Sequence, residues 1–203
     1  VLYGYGESVA SNVVRLALAE KNISYDYKLL YLESRGDHLK ADYKKLNPKT
    51  LLPTLTVNEK PISESIDIMR FIDNEHIDQG STLFPKNQDE EFDKLLDYLF
   101  LDDTKELGQT FGTTGGGISV PVLGKLLCKR SFFSVLWDYL KNHGVSKRKP
   151  IFVMVRLFGG PPPGLYEKMM SFLAKHLVYT ENYLNHGKTF IYGCLLYTSD
   201  AAD

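Results

Sequence analysis

The chain has 203 residues, 43% of them hydrophobic and 24% charged, with a formal net charge of -1. This composition is globular, has room for two small domains, and carries no electrostatic footprint for nucleic acid or an anionic membrane. No apolar run approaches the ~18 residues of a membrane-spanning helix, and the two cysteines, Cys128 and Cys194, are too few for a disulfide framework and too far apart for a metal or dithiol motif, so a reducing, cytoplasmic setting is expected.

Val1 to Tyr5 reads as a short strand, and after Gly4-Tyr5-Gly6 the apolar residues Val9, Val13, Leu16 and Ala17 recur at helical spacing towards Lys21. Tyr25 to Leu32 is predicted as a second strand, and Asp37 to Leu46 as a short polar helix or turn ending at Asn47-Pro48. Thr54 to Val57 and Pro61-Ile62 form a hairpin turned at Asn58-Glu59-Lys60, and Ser65 to Asp73 a further helix. The order β-α-β-(α)-β-β-α implies a mixed sheet: two strands run parallel through a helical crossover, and two are joined by a hairpin.

Asp78 to Asn87 is rich in Gly, Ser, Pro and Asn and marks a linker. Beyond it no strand alternation is convincing, and helices are predicted over Glu90 to Gln109, Ser119 to Asn142 (one or two) and Pro163 to Leu184, broken at Gly115-Gly116-Gly117 and at Gly159 to Pro163. The run from Ser146 to Pro150 (SKRKP) reads as a solvated loop. The expected organisation is an α/β domain over 1–77, a linker over 78–87 and an all-α domain over 88–193. The last ten residues, Cys194 to Asp203, match a translated sequencing adapter and are set apart as an artefact, and a chain that starts at Val1 and is natural only to Gly193 reads as a fragment.

Four features in order resemble the glutathione S-transferase superfamily: LYGYGES-VASNVVRLALAEKNISY at 2–25, LNPKTLLPTL at 46–55, ISESIDIMRFI at 62–72 and LFP at 83–85. The resemblance implies a thioredoxin-like N-terminal domain with a four-stranded mixed sheet, a helical-bundle C-terminal domain, and glutathione as co-substrate. It places the catalytic hydroxyl at Ser8, which can also serve as the N-cap of the following helix, with Ser11, Tyr3 and Tyr5 as competitors. It places a cis peptide at Pro53, the alternative being an ordinary trans proline, with the main chain of Leu52 pairing glutathione like an added strand. Glu64 would receive the γ-glutamyl ammonium, and Ser65, read as an N-cap, would present the first helical N-H groups to the γ-glutamyl carboxylate. His38 matches a polar position near the glycyl end, the alternative being a solvent-exposed histidine.

The first 77 residues hold no cysteine, which excludes thiol-transfer and Cys-x-x-Cys redox chemistry. Ser8 is followed by Val9 and Ala10 rather than by Ser-Cys, which argues against a maleylacetoacetate isomerase. The expectation is therefore a serine-type transferase that conjugates an apolar electrophile or reduces a peroxide, serves detoxification, uses no metal, and forms a homodimer when full length. A non-catalytic interaction module is the alternative, and a relative with a membrane anchor beyond Gly193 is another. Phe100, Phe111, Trp137, Tyr139 and Phe152 are candidates for an acceptor pocket, with ordinary core packing as the competing role. As a fragment the chain is expected to expose core surface at Leu177 and Val178 and to be poorly stable.

Overall fold

The computed structural model describes residues 1–85, 90–102 and 104–184. In chain order the elements are β1 (Leu2–Gly4), α1 (Val9–Glu20), β2 (Tyr27–Leu29), a 3-10 turn (Asp37–Leu39), α2 (Ala41–Leu46), β3 (Thr54–Val57), β4 (Lys60–Ser63) and α3 (Ser65–Glu75). The helices α4 (Glu90–Leu99), α5 (Phe111–Leu127), α6 (Phe132–Asn142), α7 (Lys149–Phe158) and α8 (Leu165–Leu184) follow. The adapter-like tail Cys194–Asp203 and the last part of the expected helical domain lie outside the described residues.

The chain divides into two compact units, one containing Val1–Leu30 and Leu51–Phe92, the other Tyr31–Thr50 and Asp93–Thr180. Residues 31–50 thus count with the helical unit, although they lie before the expected boundary at 77 in sequence.

In the first unit the sheet order is β2-β1-β3-β4, with β1 parallel to β2 and the other neighbours antiparallel. This is the mixed four-stranded sheet expected from the element order. Strand β2 is shorter than expected because it is an edge strand pairing only with the three residues of β1. Asn58 and Glu59 adopt φ of 48° and 65°, the left-handed pair that a two-residue hairpin turn requires. Helix α1 buries Ser11, Val14, Ala17 and Leu18, and α3 buries Ile68, Met69 and Ile72. These stripes recur every three to four residues, so the two helices pack together and cover the core.

Among the described residues the second unit is helical, with two departures from expectation. Gly115-Gly116-Gly117 does not break a helix but lies inside α5, which opens with a Thr110/Thr113 capping box. Two glycines of α5 are closely approached by neighbours, since a Cβ at Gly117 would come within 2.6 Å of the Met169 sulfur and one at Gly124 within 2.8 Å of the Gly160 Cα, whereas Gly115 has open space around it. The SKRKP run is not a loop either. Ser146–Arg148 is a 3-10 turn leading into α7, where Pro150 lies in the first turn and loses no intrahelical hydrogen bond. The predicted break at 159–163 is present, with Gly159 ending α7 at a φ of 74°. On α8, Leu177 and Val178 are 51% and 61% exposed.

Candidate functional site

Strand register decides which loops meet. Tyr3 of β1 pairs with Thr54 of β3, and Thr54 pairs with Ser63 of β4, giving one row across three strands. Because β3 runs against both neighbours, the residues just past this row are the Gly4-to-Ser8 turn after β1, Leu52-Pro53 before β3, and Glu64-Ser65 after β4. The three segments therefore share one end of the sheet. Helices α1 and α3 both begin there, so their unpaired N-H groups and the positive ends of their dipoles lie at that end.

The turn leading into α1 is closely tied. The Ser8 N-H donates to the Tyr5 carbonyl at 3.1 Å, and the Ser8 hydroxyl oxygen accepts the Ser11 N-H at 3.3 Å as the N-cap. The Asn12 side chain donates to the Gly6 carbonyl at 2.9 Å. Ser11 is fully buried, and its oxygen accepts the Tyr5 N-H at 3.3 Å, so its hydroxyl closes the turn from inside. Ser8 is half-buried; its lone pair caps the helix, and no acceptor for its proton occurs among the described residues. The Tyr5 phenol donates to Glu7 at 2.9 Å, and Tyr3 lies under the Lys28 ammonium, 5.3 Å from ring centre to nitrogen. A Cβ at Gly4 would lie 2.8 Å from the Tyr27 hydroxyl, so a larger residue there would displace the exposed Tyr27 ring.

The Leu52-Pro53 peptide is cis, as the sequence pattern suggested. Among the described residues nothing bonds to the N-H or C=O of Leu52, so both are open to a strand-like partner. Glu64, not Ser65, is the N-cap of α3, a correction of one position: Ser65 is the first helical residue and is buried. Glu64 is exposed and holds φ 69°, ψ 125°, a conformation that costs a non-glycine residue about 1–3 kcal/mol. No residue type in the sequence announces that backbone, so this feature was illegible in advance.

His38 lies on the Asp37–Leu39 turn in the second unit, 4% exposed, which overturns the solvent-exposed alternative. Its ring packs edge-on to Tyr139 at 5.9 Å and to His143 at 6.2 Å. Burial, with His143 and Arg130 nearby, holds its pKa down to about 3, so it is neutral at physiological pH. Of the acceptor-pocket candidates, Tyr139 and Phe152 belong to the core around Leu127 and Val135, while Trp137 is 62% exposed. Trp137 lines, with Phe133, Leu136, Leu140 and Lys141, an apolar depression of about 530 Å³ along α6.

Residues 8–75 match the model for the glutathione S-transferase N-terminal domain. Over these residues the chain is similar to the glutathione S-transferase superfamily. Among curated relatives, the maleylacetoacetate isomerase of Dictyostelium discoideum is 40% identical over 87 residues, covering 42% of this chain and 39% of the relative. The chain thus spans about two fifths of the length of that relative. Among solved structures, a beta-etherase from Sphingobium sp. strain SYK-6 superposes with a TM-score of 0.75 at 18% identity, covering 94% of this chain and 74% of the other. A glutathione transferase from Phanerochaete chrysosporium, solved in complex with oxidized glutathione, superposes with a TM-score of 0.58 at 18% identity, covering 94% and 70%. The two structures bear out the expected fold, a thioredoxin-like domain with a four-stranded mixed sheet followed by helices.

Proposed function

We propose that the first unit binds glutathione across the sheet end beyond the Tyr3–Thr54–Ser63 row, and that the whole protein uses the bound thiol as a nucleophile. The observation that carries this reading is the row itself, which gathers a capped serine, an open main chain and a helix N-terminus within the matched domain. The cysteinyl backbone of glutathione pairs with Leu52, its γ-glutamyl carboxylate takes the first N-H groups of α3 at Ser65, and its ammonium faces Glu64. Pro53 turns the chain into that register.

Ser8 is the residue assigned to the sulfur. A free thiol has a pKa of ~8.5, and each unit of lowering requires ~1.4 kcal/mol of preference for the thiolate. A hydroxyl donating to sulfur, beside the N-terminus of α1, supplies that preference. The thiolate then attacks an electrophilic carbon: the C-S bond forms, and the leaving group departs with its electron pair. Ser11 is set aside because its hydroxyl is buried and engaged, and His38 because it lies in the aromatic core of the second unit. Homodimerisation, a cytoplasmic location and a detoxifying role belong to the same reading. No helix among the described residues is long and apolar enough to cross a membrane.

Glutathione-dependent isomerisation is the second reading, favoured by the likeness to the Dictyostelium isomerase. It begins with the same thiolate addition and differs in that the C-S bond breaks again after rotation. The test is calorimetric binding of glutathione, followed by turnover of a chloronitroarene and of a cis-dienone acid. Turnover of the arene supports conjugation and interconversion of the acid supports isomerisation. Binding without turnover of either indicates a non-catalytic module, and absence of binding overturns the proposal.

A further inference from the structure

Outside the sheet end, the second unit holds a buried polar cluster. His38 Nδ1, Arg130 Nη1 and the Tyr139 hydroxyl are fully enclosed and find no hydrogen-bond partner among the described residues. The side chain of Arg130 is 9% exposed, and His38 and Tyr139 are 4% and 0% exposed. They are close neighbours. The His38 ring meets the Tyr139 ring at 5.9 Å, and Arg130 Nη1 lies over Gly36, where a Cβ would approach it to 2.7 Å. Arg130 also bonds Ser134 and Asp138 through Nη2, which fixes the guanidinium in place. Glu33, 4% exposed, acts electrostatically on Tyr139.

The chemistry of these groups narrows the partner. Arg130 Nη1 can only donate, the phenol can donate and accept, and a neutral imidazole nitrogen does one or the other according to tautomer. A cation is repelled by Arg130, and no cluster of three or more metal-ligating residues occurs among the described residues. An anion would meet the buried Glu33 carboxylate. A small neutral molecule that both donates and accepts satisfies all three, and aromatic rings pack beside them, Tyr139 on Phe152 at 4.4 Å and on His143 at 5.7 Å.

We propose that this cluster is an internal water site in which at least one long-lived water bridges His38, Arg130 and Tyr139, tying the Asp37–Leu39 turn to α6. The site gives His38 a structural role within the helical unit, independent of glutathione. Unsatisfied polar groups at this depth are rare in native proteins, and bridging water is the ordinary remedy.

Water relaxation dispersion on the 203-residue chain, compared with Tyr139→Phe, counts long-lived internal waters. The expected result is at least one fewer in the variant, with a crystal structure of the parent placing a water within hydrogen-bond reach of the Tyr139 hydroxyl. Equal counts, or a direct Arg130 to Tyr139 hydrogen bond with no water between them, would overturn the proposal. Should Tyr139→Phe fail to fold, His38→Phe removes a different partner of the same water and is read in the same way.

Discussion

Lys21 Nζ lies 2.7 Å from Asp73 Oδ1, with the lysine side chain 1% exposed, so the C-terminal ends of α1 and α3 are joined by a buried ion pair. The same ammonium donates to the His76 carbonyl at 3.2 Å. The two Asp73 oxygens accept the N-H groups of Leu83 and Phe84, both at 3.1 Å. The connecting segment passes so close to α1 that a Cβ at Gly80 would overlap the Glu20 carbonyl. One carboxylate thus anchors two helices and the LFP segment, which explains why those three residues keep a fixed place in the first unit.

Removing one partner of such a pair leaves a buried charge alone, at a cost of about 3–5 kcal/mol. Lys21→Met is expected to lower the unfolding free energy measured in urea by that order, and Asp73→Asn by less, because the amide oxygen still accepts one backbone N-H. The double variant Lys21→Met/Asp73→Asn should be more stable than the sum of the single losses predicts. Additive losses would mean that the pair contributes nothing by pairing.

Ser8 has two roles that substitution can separate. Ser8→Ala loses both cap and proton, and is expected to cost ~0.5–2 kcal/mol of stability together with a ~10–100-fold loss of glutathione-dependent turnover. Ser8→Asp keeps a capping oxygen but has no proton to give. Its thermal midpoint should stay near that of the parent while turnover falls as far as in Ser8→Ala. Unimpaired turnover in Ser8→Asp would assign the sulfur to another group.

Glu64 carries its carboxylate on a backbone that glycine adopts more easily. Glu64→Gly relieves that conformation, so stability should change by less than about 1 kcal/mol. Affinity for glutathione should nevertheless fall ~10–100-fold, the worth of a hydrogen bond to a charged group. At Leu52 the contrast is reversed. Leu52→Ala keeps the main-chain N-H and C=O, so its glutathione affinity, measured by calorimetry, should stay within ~3-fold of the parent.

How far the sequence foretold this structure varies with the range of the determining interactions. Strands β1, β3 and β4 and helices α1 and α3 were legible, because each carries a local apolar period and a local stop such as Asn58-Glu59 or Asn47-Pro48. The glycine run in α5 misled because the helix is capped at Thr110 and Thr113 ahead of the run, and Gly117 packs against Met169, a contact remote in sequence. The SKRKP run misled because charge marks exposure and not the absence of a helix. At the sheet end, the residue types at Ser8, Leu52-Pro53 and Glu64-Ser65 were legible as a pattern, whereas the burial that distinguishes Ser11 from Ser8 is given by no spacing. The burial of His38 was not legible because its partners, Tyr139 and His143, lie about a hundred positions away.

His38 leads to a pH dependence whose sign is fixed. Its folded pKa is depressed to about 3, first by burial and then by His143 and Arg130, with Asp37 opposing. An unfolded histidine has a pKa of ~6.5, so between those values the unfolded chain binds a proton that the folded chain refuses. The stability linked to this group is therefore complete above pH ~6.5 and is lost as pH falls, at up to ~1.4 kcal/mol per unit. Asp37, whose pKa is lowered by Lys40 and the Tyr31 N-H against its own burial, loses its contribution only at lower pH, through the carboxylate range. The interval from pH ~6.5 to ~5 thus belongs to histidine. Urea midpoints across that interval should fall with pH in the parent and fall less steeply in His38→Gln, which cannot be protonated. Identical slopes would show that His38 takes up its proton in the folded state as readily as in the unfolded one.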